Sequence, residues 1–391
     1  MMDELKRRVA EIEEDLIKWR RDFHRHPEVA FHEERTSRVI KEYLEGLGLP
    51  VKIMAGTGLR ADLRGGGAGP TVALRADIDA LPLQEQGDKD YISQNPGAAH
   101  SCAHDGHMAV VMGAAKVLTG MRDVLNGNVV FLFQPAEELP PGGAVTMVEE
   151  GALDGVDAIF GLHFWQPIPT GRIGIVKGPM MAAADNFRIT VKGRAGHGSM
   201  PHQTVDSILT AAQLVVNLQS IISRNLDPLK PGVVSFGTIQ GGTVYNIIPE
   251  EVKLTGTVRS FDTEVQTLAR DRLQEITRKT CEAFGAQGEM EYEPGYPPLV
   301  NPPDMVDFAL DVAAMILGDD RIVEIAPVMG GEDFAYFLQK IPGAFLFFGM
   351  GDGQSFPHHH PGFDMDEKAL PQAALLLTAL ALEFLEKKRQ T

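Results

Sequence analysis

The chain has 391 residues, 44% of them hydrophobic and 23% charged, with 41 glycines and 25 prolines; this is a globular composition, and the length exceeds one core at the usual ~100–200 residues per domain. A formal net charge of −17 and a sequence pI of about 5.1 repel polyphosphate and anionic membrane surfaces, which argues against nucleic-acid and membrane partners. Two cysteines, Cys102 and Cys281, are too few for a disulfide scaffold, the first twenty residues carry no apolar export signal, and no apolar run reaches the ~18 residues of a membrane span, so a cytoplasmic protein is expected.

Leu5, Val9, Ile12, Leu16, Trp19 and Phe23 recur at steps of four and three, which predicts one amphipathic helix. A second helix is expected over 36–47, stopped by Gly48. Apolar runs of strand length follow at 71–77 (TVALRAD), 129–138 (VVFLFQPAEE), 158–164 (AIFGLHF) and 343–349 (GAFLFFG). Uninterrupted runs of this kind suit parallel strands covered on both faces. GHMAVVMGAAKVL, between the first two, reads as a helix with Asp105 as its N-cap. The segment 183–294 has a different rhythm: strand, long helix, two strands, helix, strand. That order is the split βαβ arrangement of a ferredoxin-like unit. It predicts an α+β insertion at 183–294 in an α/β domain made of 1–182 and 295–391, with YPPLVNPPD as a return linker whose prolines forbid a continuing helix.

The strand ends carry the chemistry. Asp77 and Asp79 follow the first run, Glu137 and Glu138 end the second, and His163 lies in the third. Cys102 and His104 sit in HSCAHDGH just before a helix, and PHHHP places His358, His359 and His360 after the last run. Ligands in open α/β sheets bind beyond the carboxyl ends of the strands, so these groups can share one crevice. Buried side by side, Glu137 and Glu138 would repel unless a proton or a cation relieved them, and a divalent metal does so. Cysteine, histidine and carboxylate together suit zinc and other late first-row ions; imidazole and carboxylate also take manganese or cobalt. Simpler readings attach to single residues. Cys102 alone is equally a small buried hydrophobe, as Cys281 on an apolar helix face is taken to be. His24, His26 and His32, flanking a charged helix end, read as solvated; His107 reads as packing beside the site, and PHHHP alone as an exposed loop.

RRDFHRHPEVAFHEERTS (20–37), LRADIDALP (74–82), HSCAHDGHMA (100–109), FQPAEE (133–138), GLHFWQPIPTG (161–171), KGRAGHGSMPH (192–202), YNIIPEEVKLTGTVRSF (245–261), GGEDFAYF (330–337) and HHPGFDMDE (359–367) occur in this order nearly end to end. With them the sequence resembles the metal-dependent amidohydrolases of the M20 peptidase family, in the branch of aminoacylases, hippurate hydrolases and indole-acetyl-amino-acid hydrolases. The resemblance implies a zinc-peptidase-like catalytic domain with a largely parallel sheet, and the insertion as lid and dimerisation domain. It implies two divalent metal ions (Mn, Zn, Co or Ni) on Cys102, His104, Glu138, His163 and His359, with Glu137 as general base and Asp77 orienting the ligands. From the insertion, His197 would stabilise an oxyanion in a neighbouring subunit, and Asn246 and Arg259 would hold a substrate carboxylate. The implied substrate is a small N-acyl amino acid, and the implied assembly a homodimer or higher homo-oligomer. A dipeptidase or carboxypeptidase, or an N-acetyldiaminopimelate-type deacetylase, would share the scaffold. A non-catalytic binding protein would be expected to lack the base or a ligand, and this chain has them all. One departure is Ala103, where the branch usually has glycine; backbone freedom there is reduced.

Overall fold

Residues 72–77 and 129–134 are buried without a break, which requires cover on both faces of the sheet they enter. The computed structural model describes residues 2–351 and 353–387. The chain forms two units: Met1–Gly178 with Val300–Ala326 and Asp333–Thr391, and Pro179–Leu299 with Pro327–Glu332.

The first unit holds an eight-stranded sheet. Its centre is four mutually parallel strands, in spatial order Asn126–Gln134, Gly67–Asp77, Ala158–Pro169 and Gly343–Gly351. A hairpin, Val51–Met54 and Gly58–Arg64, extends one edge antiparallel to Asn126–Gln134, and short strands Ile173–Gly174 and Ile322–Val323 complete the other. Helices Glu13–Arg25, His104–Thr119 and Ala369–Lys387 supply Leu16, Val111, Leu377 and Leu380 to one continuous core with the strand residues Leu74, Phe131 and Leu346. Helix Ala369–Lys387 is long and apolar enough to cross a membrane, but most of it is buried inside this unit.

Several local expectations change. The first predicted helix is two, Met2–Ala10 and Glu13–Arg25. The chain tightens between them, with Ile12 N–H bonded to the Val9 carbonyl, so Leu5, Val9, Ile12, Leu16 and Phe23 stay buried across the break. The periodicity reported burial, not continuity. The second helix is Glu34–Gly46, and Gly48 follows it with φ 76°. The second strand stops at Gln134, ahead of Pro135, which has no N–H to donate, and leaves Glu137 and Glu138 in a loop. Asp105 is not an N-cap: the helix starts at His104, Ala103 occupies the cap position in the left-handed conformation (φ 64°, ψ 18°), and Asp105 turns inward. In the proline-rich stretch helix Pro303–Leu317 begins with proline in its first turn, where the missing N–H is no loss.

The second unit is a four-stranded antiparallel sheet in the order Gly232–Gly241, Glu251–Ser260, Ala183–Lys192, Gln287–Tyr296. With helices Ser207–Leu218 and Thr263–Ala283 the chain order is βαββαβ, the ferredoxin-like arrangement. Phe187, Ile189 and Val191 alternate inward and meet Leu214, Leu218, Leu273 and the buried Cys281. Asp206 and Asp262 cap the two helices, accepting from Leu209 N–H at 2.9 Å and Glu264 N–H at 2.7 Å.

Candidate active site

Strand Gly67–Asp77 lies between Asn126–Gln134 and Ala158–Pro169, so the two strands that follow it in the chain pair on opposite sides of it; at such a switch point a crevice opens beyond the strand ends. Asp77 closes the first strand there. Pro135 stops the second, and the chain turns through Ala136 (φ 55°) into Glu137 and Glu138. His163 comes from the third strand, Cys102 and His104 from the start of helix His104–Thr119, and His359 from the loop after Gly343–Gly351. Gly106 lets that helix approach closely: a Cβ on it would lie 2.9 Å from both Phe164 and the Met365 sulfur.

The structure brings the five candidate ligands together. Cys102 Sγ lies 3.4 Å from His163 Nε2, and His359 Nε2 lies 3.3 Å from Glu138 Oε1. His104 Nε2 lies 3.7 Å from Asp77 Oδ2 and 3.9 Å from Glu137 Oε2 and from Glu138 Oε1. Cys102–His104–His163, Cys102–Glu138–His359 and His104–Glu137–Glu138 are each sets whose donor atoms fall within 4.8 Å of one another.

Two observations show that this donor set fits metal ions. The first is orientation. His104 Nδ1 meets the Asp79 carbonyl at 2.9 Å and His163 Nδ1 the Phe164 carbonyl at 2.7 Å. A carbonyl only accepts, so each Nδ1 carries the proton and each Nε2 presents a lone pair. His104 Nε2 is buried and has no hydrogen-bond partner among the described residues. The second is charge. Burial pushes the Cys102 thiol up, and Glu138 and Glu137 push it further. Burial opposes a charge on His104, yet Asp77, Asp79 and Glu138 overcome it and raise its pKa to about 10. A cluster that draws a proton onto a fully buried imidazole is short of positive charge, which divalent ions supply.

The surrounding groups fix these ligands. His107 donates from Nδ1 to Asp77 Oδ1 at 2.6 Å and accepts from the Phe164 N–H at Nε2 at 2.9 Å, so both its nitrogens are committed and it packs beside the site. Arg75 holds the other Asp77 oxygen at 2.8 Å and also bonds Gln134 and Asp333. Within the histidine triplet, His358 accepts from the Gln166 N–H and stacks on Trp165, and His360 accepts from the Gly362 N–H and stacks on Phe356. Only His359 faces Glu138.

A buried network behind the site was not anticipated. His24, expected in solvent, has 1% of its surface exposed and bonds Asp105 Oδ2 at 2.7 Å and Glu85 Oε1 at 2.8 Å. His26 is half-buried and His32 exposed. Arg20, with no exposed surface, bonds Asp105 at 2.8 Å, Asp364 at 2.6 Å and Glu367 at 3.2 Å. It thereby joins the residue after His104 to the segment after His359. Burial alone would raise the Asp105 carboxyl, but the Arg20 charge and the His24 hydrogen bond hold it well below the usual range. The sequence signal was position: Arg20 and His24 follow Leu16 at four and eight residues, on the buried stripe.

The second unit carries the other three candidates. His197 is exposed in a short ladder, Gly196–His197 against Ile247–Ile248, and its Nδ1 accepts from the Ser199 N–H at 3.1 Å. Asn246 is also exposed, and its carbonyl accepts from the Gly198 N–H at 2.9 Å, so these two lie together. Arg259 is half-buried on strand Glu251–Ser260, bonded to the Thr257 hydroxyl and the Val258 carbonyl.

Comparison with known proteins gives concordant results. The sequence profile of peptidase family M20/M25/M40 matches residues 73–383. An N-acyl-L-amino acid amidohydrolase of Geobacillus stearothermophilus is 47% identical over 300 residues, 76% of this chain and 81% of that one. Thermostable carboxypeptidase 2 of Saccharolobus solfataricus is 40% identical over 394 residues, 99% and 100% of the two chains. The crystal structure of a dinuclear metal-binding M20-family peptidase from Bacillus subtilis superposes with a TM-score of 0.84 at 37% identity, covering 96% of this chain and 99% of that one.

Proposed function

The chain belongs to peptidase family M20/M25/M40, and from that premise we propose that it hydrolyses N-acyl amino acids, of N-acetyl, benzoyl or indole-acetyl type, to a carboxylic acid and a free amino acid. It is a metal-dependent amidohydrolase. The observation that carries the reading is the Glu137–Glu138 pair set against the cluster of Cys102, His104, His163 and His359. In this reading Cys102, His104, Glu138, His163 and His359 hold two divalent ions, Mn, Zn, Co or Ni. When bound, such ions polarise the scissile carbonyl and acidify water. Glu137 takes the proton of the attacking water and returns it to the leaving nitrogen, as general base and then acid. Asp77, pinned by Arg75 and His107, keeps the ligand cluster oriented.

His197 serves the oxyanion in the site of a neighbouring subunit. Its Nδ1 accepts a hydrogen bond, which places its proton on Nε2, the atom a developing oxyanion needs. Arg259 and Asn246 hold the substrate carboxylate, Arg259 with the planar fork suited to that partner. The inserted unit at 183–294 acts as lid and dimerisation domain. Exposed Ile208, Leu209 and Val216 on helix Ser207–Leu218 support a homodimer, and two unpaired cysteines support a cytoplasmic location.

A second reading, carboxypeptidase, is favoured by the 40% identity to an enzyme of that name. Amine release from N-acetylmethionine, hippurate, an indole-acetyl amino acid and a dipeptide, with added manganese or zinc and after chelation, separates the two. Metal-dependent cleavage of the acyl amino acids is expected; cleavage of the dipeptide alone selects the second reading.

A further inference from the structure

Two backbone amides flank Glu137, and each is bonded to a buried carboxylate. On one side the Ala136 N–H donates to Glu33 Oε1 at 2.9 Å; on the other the Glu138 N–H donates to Asp79 Oδ2 at 2.9 Å. Glu33 has no exposed surface, and both its oxygens are engaged. Oε1 also accepts from the Phe31 N–H at 3.0 Å, and Oε2 from the Thr57 hydroxyl at 2.6 Å.

The anchored residue is a strained one. Ala136 has φ 55°, a left-handed conformation that side-chain-bearing residues seldom adopt and that persists only when the surroundings enforce it. Pro135 before it has no N–H, so the Ala136 amide is the first after the strand that can fix the turn.

We propose that Glu33 is the positioning residue for Glu137: by holding the Ala136 amide it keeps the left-handed turn and aims the carboxylate that follows. The inference rests on the reading of Glu137 as the base. Asp79 has a separate task, since it touches both Glu138 and His104, whose Nδ1 lies 3.3 Å from its Oδ1. One buried carboxylate therefore serves the base and the other the ligands. Removing Glu33 should disturb proton transfer and leave metal binding intact.

The test compares Glu33→Ala, Glu33→Gln and Glu33→Asp, measuring kcat, KM, bound metal per chain, and hydrogen exchange of the peptide containing Ala136. Glu33→Ala should bind as much metal as wild type, exchange faster at Ala136, and lose roughly 10- to 100-fold in kcat with KM changed less than about twofold, the scale of an ångström-sized misplacement. Glu33→Gln still offers an oxygen to the two amides, and the Thr57 hydroxyl can turn to accept from its NH2, so its kcat should stay within about threefold of wild type. Glu33→Asp, one methylene short of the Ala136 amide, should behave like Glu33→Ala, and it replaces that variant if the alanine chain does not fold. Wild-type kcat in the Asp or Ala variant overturns the proposal, as does a loss of activity that follows lost metal and is restored by excess metal. Glu137→Gln is the control: if it stays active, the base assignment has failed. If it is inactive while the Glu33 variants turn over normally, only the positioning role has failed.

Discussion

Arg20→Met removes one buried guanidinium and keeps a flexible apolar side chain in place of the arginine stem. Three charge-assisted bonds are lost, to Asp105 at 2.8 Å, Asp364 at 2.6 Å and Glu367 at 3.2 Å. The side chains of Asp364 and Glu367 are 28% and 15% exposed and can recover water, whereas that of Asp105 has none to recover. The cost therefore concentrates on Asp105, and stranding one partner of a buried pair costs about 3–5 kcal/mol. For a unit of this size that is roughly 6–20 °C in Tm. The pH dependence has a definite sign. Burial would raise Asp105 and Asp364, but Arg20, with His24 beside the first and Lys89 beside the second, holds both below their ordinary values. Stability from depressed carboxylates is present above about pH 4 and lost as pH falls through the folded values. Wild type has that stability to lose and the variant mostly lacks it, so the gap should be widest at pH 7 and narrow toward pH 3. Calorimetric melts of metal-stripped protein between those values, followed in the transition of the first unit, provide the measurement. A Tm difference under about 2 °C at pH 7 would refute the reasoning. So would a difference that stays constant down to pH 3, which would mark the loss as packing.

Glu137→Gln should lower kcat by roughly 10²- to 10⁴-fold and leave bound metal unchanged by elemental analysis; retained turnover removes Glu137 as the base. His359→Ala deletes a candidate ligand that faces Glu138 at 3.3 Å, and should lower the metal content from two ions per chain toward one, as counted by titration calorimetry. Arg259→Lys exchanges a fork for a point charge and should raise KM about tenfold for carboxylate-bearing substrates, with little effect on the corresponding amides; a KM for the carboxylate substrate equal to that of wild type rules out carboxylate binding by Arg259.

The central fold was legible because its strands are buried on both faces, so Val129–Phe133 and Phe345–Phe348 read as apolar runs with no competing period. The hairpin Val51–Met54 and Gly58–Arg64 gave no such signal. Its turn places Ala55 at φ 47° before Gly56, so the usual asparagine or aspartate is missing. The candidate ligands were legible as residue types at strand ends, where cysteine, histidine and paired carboxylates have few other reasons to gather. What lies behind them was not. Arg20 and His24 look like the solvated face of a charged helix until Asp105 turns inward, and Asp105 looks like a cap until Ala103 takes the left-handed position instead. Glu33 sits in the charged run HEER, where only the fold reveals that it is buried against a turn about a hundred residues away.

The Arg20–Asp364 bond spans 344 residues. Ribosomes add ~5–20 residues per second, so Arg20 waits roughly 20–70 s for its partner. Over nearly the same interval His359 has not been synthesised. The antiparallel sheet between Ala183 and Tyr296 needs no residue from either end of the chain and can form while translation continues. The candidate site, which draws on His359, cannot. A chain that stops before His359 holds at most four of the five candidate donors and an unanchored first helix pair, so on the proposed ligand set activity should appear only once the last strand and the loop after it have emerged.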